Sequence, residues 1–200
     1  MSLRFASAIA ASLMAAALFA SPVVTQTAEA KSTCRNTGSF DRWLSGFKQD
    51  AAAAGISKRV ISAALGDVTF NKSIIKKDRT QIIFSDDWLT FSGKLISAGR
   101  LKKGKAKLKS NARMFNSIKS KYGVPGEVVT AFWALETDFG GFLGNGSTIR
   151  SLATLAYDCR RPEKFHKELM AALKLLQNGD LRLGEMKGAW AGELGQLQFL

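Results

Sequence analysis

Apolar side chains recur three and four residues apart through nearly all of the chain after residue 39, and no stretch offers a series of alternating strands. That periodicity confines the sequence to a mainly α fold. Phe40, Trp43, Leu44, Phe47 and Ala51 share one face of a helix closed near Gly55, and Ser57 is placed to cap the next, which carries Val60, Ile61 and Ala64. Asp86 or Asp87 caps a helix bearing Trp88, Phe91 and Leu95. Asn111, Met114, Phe115, Ile118 and Tyr122 set out another, which leads to a soft boundary at Gly123-Val124-Pro125. Beyond it, Pro125 suits a first helical position and Gly140-Gly141 a stop, so a helix is expected over residues 125–139. A short helix over 148–157 follows. A long one opens at Pro162 and closes at Gly179, burying Phe165, Leu169, Ala172, Leu173 and Leu176.

The first thirty residues stand apart from this pattern. Arg4 gives a positive start, residues 5–19 are apolar and Ala-rich, and Ala28-Glu29-Ala30 has the small-x-small form of a cleavage site, so 1–30 is expected to be a signal peptide and the protein periplasmic. This apolar run falls short of the roughly 20 residues a span needs, and no membrane span is expected. Export favours a disulfide between Cys34 and Cys159, closing a loop of 125 residues, with two free thiols as the alternative. Lys31-Ser32-Thr33 before Cys34 is no lipobox, which favours a soluble form. The formal charge of +13 points to an anionic partner. An exported protein rarely meets nucleic acid, whereas cell-wall polymers and anionic lipid surfaces are at hand. Six of the positive charges lie between Arg100 and Lys109, in either a solvated helix start or loop or a binding patch.

Several chemistries drop out. A single histidine, His166, provides no zinc cluster and argues against a Ser-His-Asp triad; a solvent-facing or core-edge place suits it better. The glycine-rich run 140–146 follows a helix instead of opening one, so it reads not as a phosphate loop but as a close-packed turn, or as a loop that lets a bulky polymer approach residue 136. No cofactor and no metal are expected. Glu136 remains: a lone carboxylate one turn beyond Phe132 and two beyond Val129, with Trp133 close, near a helix C-terminus. Apolar neighbours and the negative end of the helix dipole both oppose ionisation, which is how a general acid is made. On spacing alone, a glutamate bent out to solvent is an equal alternative. Asp138, two positions on, points away from it.

Five ordered blocks carry a resemblance. Tyr122-Gly123-Val124-Pro125, Trp133-x-x-Glu136-Thr137-x-Phe139-Gly140, Ser151-Leu152-Ala153-Thr154-Leu155-Ala156-Tyr157, Arg160-Arg161 and Gly188-Ala189-Trp190-Ala191-Gly192-Glu193-x-Gly195-Gln196-x-Gln198-Phe199 are together similar to the membrane-bound lytic murein transglycosylase B family. Asp78-Arg79-x-Gln81 is consistent with it. The resemblance implies a lysozyme-like catalytic core over 122–200, preceded by an accessory helical region over 31–121. It further implies peptidoglycan as partner and substrate, with the bond after N-acetylmuramic acid cleaved without water. Glu136 matches the family's acid/base, which protonates the glycosidic oxygen and then deprotonates the sugar's own C6 hydroxyl, leaving a 1,6-anhydro product. A substrate that supplies its own nucleophile explains a single carboxylate where ordinary glycosidases use two.

Gln198 matches a glutamine near the sugar sites. Arg160 and Arg161 match a pair suited to stem-peptide carboxylates, with a charged helix start as the alternative. Trp190 is a candidate sugar-stacking residue, while Trp43, Trp88 and Trp133 are expected in the core. At Ala189 some relatives carry a serine that orients the acid. Relatives also continue past the Gln-Phe-Leu segment with a further lobe, in some cases holding a calcium loop, so the chain is expected to be truncated. A non-catalytic peptidoglycan-binding protein is the alternative function.

Overall fold

The computed structural model describes residues 38–80 and 86–200. The expected leader and Cys34 lie outside these, and with them the expected cleavage site and one half of the expected disulfide. Nine helices are described: α1 Phe40–Ala53, α2 Lys58–Leu65, α3 Lys72–Arg79, α4 Trp88–Leu95, α5 Ala98–Ser110, α6 Ala112–Tyr122, α7 Gly126–Thr137, α8 Thr148–Tyr157 and α9 Pro162–Asn178. Two short strands, β1 (Gly146–Ser147) and β2 (Lys187–Gly188), pair antiparallel, Gly146 opposite Gly188. The fold is mainly α, as the periodicity requires.

The main core forms where α8 is enclosed. Thr148, Ile149 and the run from Ser151 to Ala156 are all buried, so this helix is covered on nearly every side. Small residues let its neighbours approach, and Leu152 and Leu155 fill the space between them. Phe165, Leu169, Ala172 and Leu173 of α9 supply one wall, Phe40, Leu44, Phe47 and Ala51 of α1 another, and α2 and α3 add Val60, Ile61, Leu65 and Ile74. Rings of Phe40, Trp43, Phe70 and Tyr157 meet at centroid distances of 5.4 to 5.9 Å, and the Tyr157 hydroxyl donates to the Gly38 carbonyl at 2.9 Å. Helices from both sides of position 122 therefore share this core. His166 sits at its edge, its ring against Phe47 and 3.9 Å from Asp50.

A smaller cluster forms around α7. Its inward residues are Gly126, Thr130, Ala134 and Thr137, small enough for α5 and α6 to lie close. A Cβ on Gly126 would come within 2.8 Å of the Phe115 side chain, so the α6–α7 crossing requires glycine there. The basic stretch folds as α5. Arg100, Lys103, Gly104, Lys107 and Leu108 fall on the side toward α7, with Lys103 5.2 Å from the Phe139 ring centroid and Lys107 5.1 Å from that of Trp133.

Caps fall largely where the residue types indicate. Ser39, Ser57, Asp87, Ser97 and Ser147 accept from amides of the first helical turn, and Gly179 ends α9 in the left-handed region. Two expectations need correction. Trp88 is 73% exposed and not in the core, because α4 buries none of its residues. Pro125 is the N-cap of α7, which ends at Thr137, before Gly140; Asp138, Phe139 and Gly140 all turn left-handed, at φ 47°, 62° and 83°.

The enclosed α8–α9 contact carries a stability test. Leu169, fully buried, truncated in Leu169→Ala leaves a cavity against α8 and is expected to cost about 2–5 kcal/mol, read as a lower urea midpoint with an unchanged slope.

Candidate active site

Glu136 stands on the last turn of α7, and its side chain is exposed. The enclosure expected from Val129, Phe132 and Trp133 is absent: Phe132 faces solvent, and Val129 and Trp133 are only half-buried. The small residues face inward, and Phe132 and Leu135 beside the carboxylate are 57% and 46% exposed. Inward packing against α5 and α6 demands close approach, which a phenylalanine on that face would prevent. Of the alternatives the spacing left open, the outward-facing glutamate is the one observed. Its carboxylate makes no hydrogen bond or ion pair among the described residues.

What sets that orientation is the next residue. Thr137 is buried; its Oγ1 donates to the Gln196 carbonyl at 2.7 Å and accepts from the Gly140 amide at 3.0 Å. Successive helical positions are about 100° apart, so anchoring Thr137 inward turns Glu136 toward solvent. The same contact fastens the C-terminal segment to the α7 terminus. Within that segment, Leu194 and Phe199 pair through both backbone hydrogen bonds, and Ala189 N–H donates to Glu193 O. Gln198, at φ 51°, donates from Nε2 to Gly195 O at 2.7 Å and to Leu143 O at 3.5 Å, so it ties this hairpin to the glycine-rich turn. That turn is close-packed: a Cβ on Gly144, at φ 79°, would fall 2.2 Å from the Gly188 carbonyl oxygen. Phe142 and Phe199 are 75% and 70% exposed, adding apolar surface around the same end of α7.

Asp138 belongs to a different contact. Its carboxylate lies 2.9 Å from Lys103 Nζ and 3.5 Å from Arg100 Nε, both on α5. The Lys103 hydrogen bond, with the charges of Lys103 and Arg100, holds its pKa below the usual 3.8. This clamp offsets the unfavourable backbone of residues 138 and 139, and Phe139 is buried edge-on against Trp133. Sequence reasoning missed both Thr137 and the cationic side of the clamp. The Glu136-Thr137 pair was visible as a motif, but its hydroxyl acquires a purpose only when Gln196 arrives from 59 residues away.

The other expected site residues have partners of their own. Arg160 and Arg161 converge on Asp78 of α3, whose side chain is 1% exposed; Arg160 Nη1 sits 2.9 Å from Asp78 Oδ2, and Arg161 Nη2 bonds Oδ1. Arg79 reaches back to Asp158 at 2.6 Å, so loop 158–161, which includes Cys159, is held to α3 by reciprocal ion pairs. The guanidinium donors expected to face a stem peptide are thus engaged by a buried carboxylate. Trp190 is half-buried against the main core and does not stand out as a free stacking platform. Among the described residues, no group of His, Cys, Asp and Glu is arranged to hold a metal ion.

This helical architecture is that of lysozyme-like lytic transglycosylases. SltB3 from Pseudomonas aeruginosa, solved in complex with NAG-anhNAM-pentapeptide, superposes with a TM-score of 0.75 at 38% identity over 80% of this chain and 43% of that one. Slt35 from Escherichia coli, solved with bulgecin A, shares the fold at a TM-score of 0.69 and 23% identity over 78% of this chain and 51% of its own. Residues 39–200 match the transglycosylase SLT domain, and the chain belongs to that family. The membrane-bound lytic murein transglycosylase B of Escherichia coli (strain K12) is 29% identical over 114 residues, 56% of this chain and 32% of the relative. The chain thus spans a third of that curated relative and under half of the SltB3 chain.

The Asp138 clamp has a defined pH dependence. A carboxyl with a depressed native pKa stabilises the fold above its unfolded pKa, and that stability is lost as pH falls through the native value. Asp138→Asn is therefore expected to melt below the parent at pH 7, the gap in Tm narrowing as pH drops below 3.8 and closing under the depressed native pKa. Thermal melts of both proteins between pH 7 and pH 2 measure it.

Proposed function

We propose that this chain cleaves the β-1,4 bond between N-acetylmuramic acid and N-acetylglucosamine in peptidoglycan without water, with Glu136 as the single acid/base. The observation carrying this reading is the outward carboxylate on the last turn of α7, held by the Thr137–Gln196 bond and flanked by Phe132, Leu135 and Phe142. Family membership supports it, as does an SltB3 relative solved with an anhNAM glycopeptide. In the reaction, the Glu136 carboxyl gives its proton to the glycosidic oxygen as the bond to C1 breaks. The resulting carboxylate then takes the proton from the C6 hydroxyl as that oxygen bonds to C1, so the acid is regenerated and a 1,6-anhydro ring remains. A glycan lying over the exposed rings excludes water from the carboxylate, the desolvation that the free protein lacks. In this reading Gln198, beside the glycine-rich turn, is the residue that meets the sugar polar groups once its Nε2 leaves Gly195 O and Leu143 O.

The chain is exported to the periplasm on a leader covering residues 1–30 in this reading, and Cys34 pairs with Cys159. A bond closing a loop of 125 residues contributes roughly 4 to 5 kcal/mol in the chain-entropy account. Reducing the purified mature protein is accordingly expected to lower its Tm, and Cys34→Ser should lower it to the same value.

Digestion of isolated sacculi followed by mass spectrometry tests the chemistry. The expected products carry anhydro ends, and Glu136→Gln is expected to reduce their release by about 10²- to 10⁴-fold at an unchanged Tm. Reducing ends would instead identify a hydrolase. The open setting of Glu136 favours a second reading, a non-catalytic peptidoglycan-binding protein; it prevails if the parent binds sacculi, releases nothing, and Glu136→Gln binds equally well.

A further inference from the structure

Between Trp88 and Gly126 the chain carries ten lysines and arginines and no carboxylate, of which the fold engages Lys94, Arg100, Lys103 and Lys107 and the proposed chemistry none. Neither α4 nor α5 buries a single residue. On α5 the side toward α7 is occupied by Arg100 and Lys103 on Asp138 and by Lys107 over Trp133. Lys102, Lys105 and Lys109, three and four residues apart, fall on the other side, exposed and with no ion pair among the described residues. Beside them in the chain are large apolar side chains in water: Trp88 and Leu89, 73% and 79% exposed, then Ile96 and Leu101, both more than half exposed. The corner between the helices is fixed, since Ser97 caps α5 and Arg100 Nη1 donates to Leu95 O at 2.7 Å.

We propose that α4 and α5 form a docking surface for an anionic lipid bilayer, with Trp88, Leu89, Ile96 and Leu101 entering the headgroup region and Lys102, Lys105 and Lys109 meeting the lipid phosphates. Charge complementarity names an anionic partner, and the apolar side chains decide its kind. A soluble anionic polymer or glycan engages the lysines but leaves four large hydrophobic groups in water. An interfacial site uses both, and tryptophan is favoured at that depth. This contact brings an enzyme or binder of the wall to the membrane face and is independent of Glu136.

Sedimentation of the mature chain with vesicles of phosphatidylglycerol and phosphatidylcholine, free of any glycan, tests the proposal. Binding is expected to these vesicles, to weaken with salt, and to be absent on pure phosphatidylcholine. Each basic residue near such a surface contributes a factor of about five, so Lys102→Gln with Lys105→Gln and Lys109→Gln lowers partitioning about a hundredfold. Trp88→Ser with Leu89→Ser lowers it at least about tenfold through lost apolar burial, both variants keeping the parental circular dichroism spectrum and Tm. Glu136→Gln should bind vesicles like the parent, which separates this site from the proposed chemistry. The proposal is overturned if the parent ignores anionic vesicles, or if either multiple variant partitions as the parent does. Dependence on the lysines but not on Trp88 and Leu89 also overturns it, and identifies an anionic polymer site instead.

Discussion

Enclosure of α8 is the constraint on which the rest of the molecule depends. A helix buried on nearly every side cannot be stable by itself, and it needs α1, α3 and α9 around it at once. Those walls come from both ends of the described chain, so burial ties distant segments together before any site exists. Its C-terminal end passes directly into loop 158–161, which the buried Asp78 and the exposed Arg79 hold from α3. Removing a charge from water is unfavourable unless it is met by opposite charge, and here two guanidinium groups meet it. That requirement explains why both arginines of the pair turn toward α3.

The α7 helix solves a different problem. Its inward face is made of Gly126, Thr130, Ala134 and Thr137, while Val128, Phe132 and Leu135 face out and Trp133 is half-buried. Close approach of α5 and α6 is obtained at the expense of exposed hydrophobic surface, and that surface surrounds Glu136. The clamp of Asp138 on Arg100 and Lys103 then closes the helix in an unfavourable backbone conformation, while Thr137 holds the C-terminal hairpin. This end is held by directional polar contacts more than by packing volume.

Helices with strong one-sided periodicity were legible from the residues alone. The boundaries of α8 and α9 follow directly from Pro162, Gly179 and the apolar rows between them, and Ser57 and Asp87 cap where their types suggest. The basic stretch was ambiguous because six like charges in a short run say nothing about which of them will find partners; α5 exists because Asp138, Phe139 and Trp133 supply those partners from beyond residue 130. Trp88 shares an apolar row with Phe91 and Leu95 and reads as core, yet α4 buries none of its residues. Arg160 and Arg161 were recognised as a pair, but their partner lies 82 and 83 residues earlier, at a distance in sequence that no local pattern reports.

By itself, the sequence determined the mainly helical class, the ends of α8 and α9 and the identity of the lone carboxylate, because spacing, caps and residue chemistry are local properties. Tertiary structure alone decided which face of α7 turns inward, where the arginines point and how Glu136 is presented. Each of those outcomes depends on contacts between segments tens of residues apart. An apolar stripe states a preference for burial; only the shape of the neighbouring helices decides whether a large ring or a glycine is the residue that fits.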